Sequence, residues 1–159
     1  MDSRFRGNDD EGEVEGVMIS LAGSQMVMEN EEPVVSSGNN GKTLLIVDDD
    51  TVFTSALADG IKIIDEGLTV YTAENGVQAI AIVKSIPVDL VLTDLRMPAM
   101  GGSELVLWLN ENRPQTPIIV MSAYADTSMV MDLETQGNSF FDKPLDFGDL
   151  MRTIHCLLN

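Results

Sequence analysis

The stretch TLLIVDDD, residues 43–50, decides the fold class that this chain is expected to adopt. Five apolar or β-branched residues follow one another without polar alternation, which is typical of a strand buried on both faces. Three aspartates come directly after them. Because such strands occur in parallel sheets with helices on both sides, the stretch predicts an α/β architecture in which one strand ends in a cluster of acid.

Similar apolar runs recur four times along the chain, and segments with the spacing of amphipathic helices separate them. The five predicted strands span residues 43–48, 68–73, 88–94, 118–122 and 139–142. Parallel neighbours need a crossover connection, and such connections are right-handed. Five strands alternating with five helices therefore predict a flavodoxin-like three-layer sandwich, whose parallel sheet has the strand order 2-1-3-4-5.

Local signals give the expected ends and faces of the helices. Asp50 and Asp146 are candidate N-caps of the first and last helix. Ser103 is the candidate N-cap of the third helix, and Gly67 is the candidate stop of the first. The residues expected to face the core from the second and last helices are Val77, Ile80, Val83, Phe147, Leu150, Met151, Ile154 and Leu158.

The distribution of charge divides the chain near residue 42. Residues 1–41 carry nine acidic and two basic residues, a net charge of −7, with glycine, serine and asparagine throughout. Like charge and low hydrophobicity predict a disordered acidic tail over 1–41, followed by one domain over 42–159. A translation start further along the chain, at one of the methionines of this segment, is the alternative.

The composition of the whole chain excludes several classes of function. The 26 acidic and nine basic residues give a net charge of −17, which argues against binding to nucleic acid or to anionic membranes. One cysteine and one histidine exclude an internal disulfide and a zinc site built from those residues. There is no apolar stretch of the ~18–20 residues that a membrane span needs and no secretory signal pattern. A cytoplasmic protein is therefore expected.

Polar side chains follow four of the predicted strands. Asp48–Asp50, Asp94, Ser122 and Lys143 each stand at or just after a strand end. Taken singly, each has an ordinary explanation as a helix cap, a turn former or a surface charge. Together they meet at one edge of a parallel sheet, where ligands bind in such folds. Two carboxylates ~5 Å apart repel by roughly 3 kcal/mol at an effective dielectric of ~20, so a positive charge is needed there.

The chemistry of this group points to phosphate and a divalent cation. An oxygen-only ligand set favours Mg²⁺ or Mn²⁺ over zinc. Lys143 can hold a phosphoryl oxygen as a point charge, and Ser122 can donate a hydrogen bond to another. Asp94 is the candidate nucleophile, since a carboxylate can accept a phosphoryl group as an acyl phosphate.

Four segments carry a resemblance to a known family. They are LLIVDDD at 44–50, DLVLTDLRMPAMGG at 89–102, PIIVMSAYAD at 117–126 and FFDKPLD at 140–146. Residues 42–159 resemble, nearly end to end, the response-regulator receiver domain of two-component signalling. The site that the resemblance implies consists of the phosphorylated Asp94, the Mg²⁺ ligands Asp48, Asp49 and the backbone carbonyl of Arg96, the phosphate-binding Lys143, and the switch residues Ser122 and Phe140.

The resemblance also implies a mechanism and partners. A sensor histidine kinase or phosphotransfer protein would donate its phosphoryl group to Asp94, and the fourth helix, fifth strand and fifth helix would form a switched surface for a downstream effector. The Lys143–Pro144 bond would be cis. Arg96 and Tyr124 stand at positions that tune hydrolysis in this family, and their bulk predicts slow loss of phosphate. By alternation along the strand, only one of Phe140 and Phe141 is expected to point into the core.

Two alternative functions remain open from the sequence. A haloacid-dehalogenase-type phosphatase with Asp48 as nucleophile would explain residues 48–52, but it leaves the DLRMP segment around Asp94 without a role and lacks a further acidic pair. A receiver that docks without being phosphorylated is the other. Apart from phosphorylating itself and slowly losing the phosphate, the chain is expected to have no enzymatic activity. It is expected to be a stand-alone receiver or a fragment of a longer regulator.

Overall fold

The computed structural model describes residues 41–159, so the predicted tail lies outside the described residues except for Gly41. Five strands alternate with five helices along this part of the chain. The strands are β1 (Thr43–Val47), β2 (Thr69–Ala73), β3 (Leu90–Asp94), β4 (Ile118–Ser122) and β5 (Ser139–Asp142). The helices are α1 (Thr51–Ile64), α2 (Gly76–Ser85), α3 (Gly102–Asn112), α4 (Thr127–Thr135) and α5 (Phe147–Leu158).

All neighbouring strands of the sheet pair in parallel, in the order β2-β1-β3-β4-β5. This confirms the predicted strand order. Every residue of β3 and β4 is buried, as continuous apolar runs require when both faces of a sheet are covered. Because all strands run the same way, their carboxyl ends lie at one edge of the sheet, called here the carboxyl edge, and their amino ends lie at the opposite, amino edge.

Two hydrophobic cores lie on opposite faces of the sheet. Along β1, Leu44 and Ile46 belong to the core under α1 and α5, whereas Leu45 and Val47 belong to the core under α2, α3 and α4. This alternation is the two-residue period of a strand. Helices on both faces confirm the flavodoxin-like three-layer sandwich.

The caps of the first and last helices agree with the sequence, but the cap of the third does not. Asp50 caps α1 by accepting a hydrogen bond from the Phe53 N–H at 3.0 Å. Asp146 caps α5 in the same way, at 2.9 Å from the Asp149 N–H. The prediction for Ser103 is wrong. Gly101 is the N-cap. It has no side chain to accept from the first turn of the helix, and the side chain of Glu104 accepts from the Gly101 N–H at 3.2 Å.

Two further predictions about helix ends and faces need correction. α1 ends at Ile64 with Asp65 as its C-cap, and the predicted stop, Gly67, instead donates its N–H to the Asp65 carboxylate in the turn that follows. Val77 is 59% exposed. The residues that α2 buries are Gly76, Ala79, Ile82 and Val83.

The last helix buries most of the face predicted for it. Leu150, Met151 and Ile154 are buried, and Leu158 is half-buried against the same core. Phe147 is 37% exposed because it lies at the first turn, where its ring faces Gly60 of α1 rather than the sheet. No helix within residues 41–159 has the length and apolarity that a membrane span requires.

Candidate functional site

Three carboxylates converge at the carboxyl edge. Asp48 and Asp49 follow β1, and Asp94 is the last residue of β3, the neighbouring strand. One oxygen from each of the three lies within 4.8 Å of the others. Asp48 and Asp94 are buried, with only 1% and 7% of their surface exposed, whereas Asp49 is exposed. Two buried acids beside a third are costly unless a positive charge compensates them.

Lys143 supplies a positive charge directly after β5, which lies two strands away from β3. Its ammonium lies 2.7 Å from Asp48 Oδ2 and 3.1 Å from Asp94 Oδ1, so it bridges the two buried carboxylates. The Lys143 N–H donates to the Ser122 carbonyl at 3.0 Å, which fixes the residue beside β4. Its ammonium also lies 4.8 Å from the centre of the Phe53 ring. The Lys143–Pro144 bond is cis, as the resemblance implies.

Backbone N–H groups hold the remaining oxygens of the two buried carboxylates. Asp48 Oδ1 accepts from the Asp50 N–H at 3.0 Å, and Asp94 Oδ2 accepts from the Arg96 N–H at 3.2 Å. Each carboxylate therefore has one oxygen on a backbone donor and the other near Lys143. The three consecutive aspartates therefore have different roles. Asp48 and Asp49 belong to the carboxylate cluster, and Asp50 caps α1.

Burial and charge shift the titration of this cluster. Burial raises the pKa of the Asp94 carboxyl, the nearby charge of Asp48 raises it further, and the hydrogen bond from Lys143 only partly offsets these effects. Burial alone would lower the pKa of the Lys143 ammonium, but its hydrogen bonds to Asp48 and Asp94 outweigh burial, so that pKa is raised. The folded protein therefore disfavours the ionised form of Asp94 and favours the charged form of Lys143.

The two predicted switch residues lie on the strands beside this cluster. Ser122 is buried at the end of β4, and its hydroxyl oxygen accepts from the Tyr124 N–H at 3.1 Å. Phe140 is half-buried against the core under α2, α3 and α4. The expectation for Phe140 and Phe141 is wrong: both contact a core, one on each face, because the sheet is covered on both sides.

The side chain of Arg96 leaves the cluster and crosses to the next loop. Its guanidinium donates to the Tyr124 carbonyl at 3.0 Å and lies 6.0 Å from the centre of the Tyr124 ring. Both residues are exposed. They form a bridge over the carboxyl edge between the loop after β3 and the loop after β4.

Sequence reasoning missed the importance of Gly102, the first residue of α3. A Cβ at this position would stand 1.9 Å from the Asp94 carbonyl oxygen and 2.6 Å from the Leu95 Cα, so the backbones touch. The Gly102 N–H donates to the Leu95 carbonyl at 2.9 Å. The Gly101–Gly102 pair was the available signal, since glycine in such a turn permits a close approach of backbones.

The arrangement suits a divalent cation and a phosphoryl group. The donors in the cluster are all oxygen atoms, the ligand type that Mg²⁺ and Mn²⁺ prefer. Three carboxylates against one ammonium leave a negative excess that a cation would neutralise. The residues present therefore fit such an ion.

Comparison with known proteins identifies relatives along most of the described chain. The family model described as response regulator receiver domain matches residues 44–155. The transcriptional regulatory protein GlrR of Escherichia coli is 35% identical over 112 residues, which are 70% of this chain and 25% of that protein. The transcriptional regulator NtrC of Salmonella typhimurium is 32% identical over 114 residues, 69% of this chain and 23% of that protein. The chain thus spans about a quarter of the length of these curated relatives.

Solved structures give the same result. A CheY-like receiver domain protein from Methanospirillum hungatei superposes with a TM-score of 0.69 at 28% identity, over 74% of this chain and 94% of that one. The beryllofluoride-activated receiver domain dimer of NtrC4 gives a TM-score of 0.66 at 25% identity, over 73% of this chain and 95% of that one.

Proposed function

Because this chain belongs to the receiver domains of two-component response regulators, we propose that Asp94 is the residue that accepts the phosphoryl group. The observation that carries the proposal is the position of its buried carboxylate, 3.1 Å from the Lys143 ammonium and beside Asp48 and Asp49. Receivers are generally not classed as enzymes, and the proposed reaction uses this carboxylate once per cycle.

The proposed donor is a phosphohistidine on a sensor histidine kinase or a phosphotransfer protein. An oxygen of Asp94 forms a bond to phosphorus while the bond from phosphorus to the imidazole nitrogen breaks, and the imidazole keeps the electron pair. Lys143 moves from pairing two carboxylates to holding a phosphoryl oxygen. Positioning and charge neutralisation account for the catalysis, since phosphoryl transfer leaves little covalent chemistry for other groups.

The proposed Mg²⁺ (or Mn²⁺) ligands are Asp48, Asp49, Asp94 and the backbone carbonyl of Arg96. When bound, the cation neutralises charge on the phosphoryl oxygens. The protein's own part is to keep Asp48 and Asp94 buried and oriented by the N–H groups of Asp50 and Arg96. This orientation prepares the carboxylate oxygens before any ligand arrives.

The proposed output is a change at the surface formed by α4, β5 and α5, which a downstream effector protein reads. The Ser122 hydroxyl oxygen accepts from Tyr124, so its hydrogen is available to donate to a phosphoryl oxygen. Movement of Ser122 would open space for Phe140, which is only half-buried. A net charge of −17 supports a protein rather than nucleic acid as the partner.

A labelling experiment tests the assignment of Asp94. Incubation with Mg²⁺ and a small phosphodonor such as phosphoramidate should place one phosphoryl group on Asp94, located by mass spectrometry. Asp94→Asn should abolish the label. Asp89→Asn, which removes a carboxylate at the other end of β3, should leave it intact. Repeated turnover of the donor through Asp48 would instead support the phosphatase, and an unlabelled wild-type protein would support a receiver that only docks.

A further inference from the structure

A second polar site lies at the amino edge of the sheet, far from the acidic cluster in the fold. An open cavity of about 410 Å³ is lined by the end of α2 and the segment after it, including Ile86, Pro87 and Val88, and by Arg113 at the end of α3. Lys84 also lines it. The cavity thus combines an apolar floor with two cations, and the proposed phosphorylation does not use it.

The two cations converge on one aromatic ring. The Lys84 ammonium lies 5.8 Å, and the Arg113 guanidinium 5.9 Å, from the centre of the Trp108 ring. Within residues 41–159 neither forms an ion pair with a carboxylate. Residues 42–159 contain seven basic and 17 acidic residues, and Lys84 and Arg113 are two of those bases that share one aromatic ring. The pair favours an anionic ligand.

The chain enters the domain beside this cavity. The Thr43 N–H donates to the Asp89 carboxylate at 2.8 Å, and the Asp89 N–H donates to the Thr43 carbonyl at 2.8 Å. Asp89 directly follows Val88, which lines the cavity. The described chain therefore begins close to the segment that lines the cavity, and the residues before Gly41 carry a net charge of −7.

We propose that the chain's own segment ENEEPVV, residues 29–35, docks in this cavity. Its three glutamates would pair with Lys84 and Arg113, and its proline and valines would cover the apolar floor. Five residues lie between Val35 and Gly41, and the six Cα–Cα steps reach about 20 Å at full extension. The other acidic run, residues 9–15, needs a much longer loop and offers fewer apolar residues, so its docking costs more entropy.

Nuclear magnetic resonance of the full chain tests the proposal. The variant Glu29→Gln/Glu31→Gln/Glu32→Gln removes three charges from the proposed segment. We expect it to shift the indole N–H of Trp108, the chain's single tryptophan, and the amides of residues 83–88 by more than a line width. In the wild type, salt well above 0.1 M should move the same signals toward their positions in the variant, because the Debye length then falls below about 10 Å.

Matched variants separate specific docking from general charge effects. Asp9→Asn/Asp10→Asn/Glu11→Gln removes the same charge from the distant run and should leave these signals in place. Lys84→Gln/Arg113→Gln should reproduce the salt effect on residues 29–35, whereas Lys62→Gln/Arg152→Gln should not. Equal shifts from both acidic variants, no shift from either, or shifts that depend on protein concentration, as a second copy in the cavity would give, would overturn the proposal.

Discussion

β3 carries a carboxylate at each end, since Asp89 directly precedes the strand and Asp94 is its last residue. Asp89 is half-buried and accepts one neutral backbone N–H, from Thr43 of the neighbouring strand. Asp94 is buried beside another acid and depends on Lys143, which Asp48 also uses. Asp89 therefore helps to join β1 to β3, whereas Asp94 is held by Lys143, which follows β5, and by the Arg96 N–H in the loop after its own strand.

The difference between Asp89 and Asp94 shows that the unfavourable charge interactions lie at the carboxyl edge. At the amino edge the Asp89 carboxylate accepts the Thr43 N–H, so both groups have a hydrogen-bond partner. At the carboxyl edge Asp48 and Asp94 share one ammonium beside a third carboxylate, and burial raises the pKa of Asp94. A site that is short of positive charge can respond to the proposed cation and phosphoryl group, and functional sites are often maintained at such a cost in stability.

The largest expected effect comes from closing the space behind Asp94. Gly102→Ala would place a Cβ 1.9 Å from the Asp94 carbonyl oxygen, so the backbone must move. We expect the free energy of unfolding to fall by about 3 kcal/mol, measured by urea denaturation, together with slower labelling of Asp94 by phosphoramidate.

The matched control for this substitution lies on α5. Gly148→Ala makes the same chemical change where the new Cβ meets its nearest atom at 3.4 Å. It should be neutral or stabilise the protein by up to about 1 kcal/mol, because alanine favours a helix more than glycine does. Equal effects of the two substitutions would show that the contact between Gly102 and Asp94 is not tight.

The second expected effect comes from removing the shared ammonium. Lys143→Met leaves Asp48 and Asp94 buried without their cation. We expect the free energy of unfolding to fall by about 2 kcal/mol at neutral pH without metal. This is less than for a fully buried pair, because Lys143 is partly exposed. Lys84→Met at the amino edge should change stability by no more than about 0.5 kcal/mol.

The pH dependence of this effect has a definite sign. The folded state raises the pKa of Lys143 above its ordinary value of 10.5. Its stabilisation is therefore fully present below 10.5 and is lost as the pH rises through the higher, folded value. Wild type and Lys143→Met should accordingly converge in stability only in strong alkali. Convergence at pH 8 to 9 would contradict the pairing seen in the structure.

The sequence predicts the carboxyl edge well because backbone geometry alone brings it together. Strands buried on both faces read as unbroken apolar runs, and parallel strands must end at the same edge. The sequence alone therefore groups Asp48, Asp94 and Lys143 at one edge. The structure adds the hydrogen bonds from the Asp50 and Arg96 N–H groups, which depend on how the loops turn after each strand.

What the sequence could not predict depends on contacts between distant segments. On α2, Val83 is buried and Ile80 packs against the core as predicted, but Val77 is exposed, and Gly76 is buried instead, where an added Cβ would stand 2.5 Å from Met100 Cγ. The close approach of Gly102 to Asp94 is likewise invisible in the spacing of apolar residues. Both errors concern packing against the loop after β3, which no local pattern encodes.

A smaller effect is expected from neutralising either carboxylate of β3. Because the folded state raises the pKa of Asp94, its ionised form destabilises the fold at neutral pH, and the penalty is relieved as the pH falls through the raised value. Asp94→Asn should therefore stabilise the metal-free protein by about 1 kcal/mol. Asp89→Asn keeps an acceptor for Thr43 and should be neutral or slightly destabilising.

Magnesium should reverse the order of stability of the wild type and Asp94→Asn. A ligand that binds only the folded state stabilises it in proportion to the logarithm of its concentration above Kd. The wild type should therefore gain in thermal denaturation midpoint with added Mg²⁺, while Asp94→Asn gains less. A variant that is less stable than the wild type without metal would show that Lys143 more than compensates the burial of Asp94.

The smallest expected effect concerns the bridge between Arg96 and Tyr124, which lies at the carboxyl edge near Asp94. These exposed side chains span two loops at the carboxyl edge and are expected to hinder water approaching a phosphorylated Asp94. Arg96→Ala should speed loss of the phosphoryl group about three- to fivefold, a barrier change of under about 1 kcal/mol. Arg96→Lys keeps bulk and charge but loses the planar guanidinium. A rate of phosphate loss between those of the wild type and Arg96→Ala would assign the obstruction to bulk. A rate equal to that of Arg96→Ala would assign it to the hydrogen bond with Tyr124. Unchanged decay in both variants, followed by mass spectrometry after removal of the donor, would show that the bridge does not restrict water at this edge.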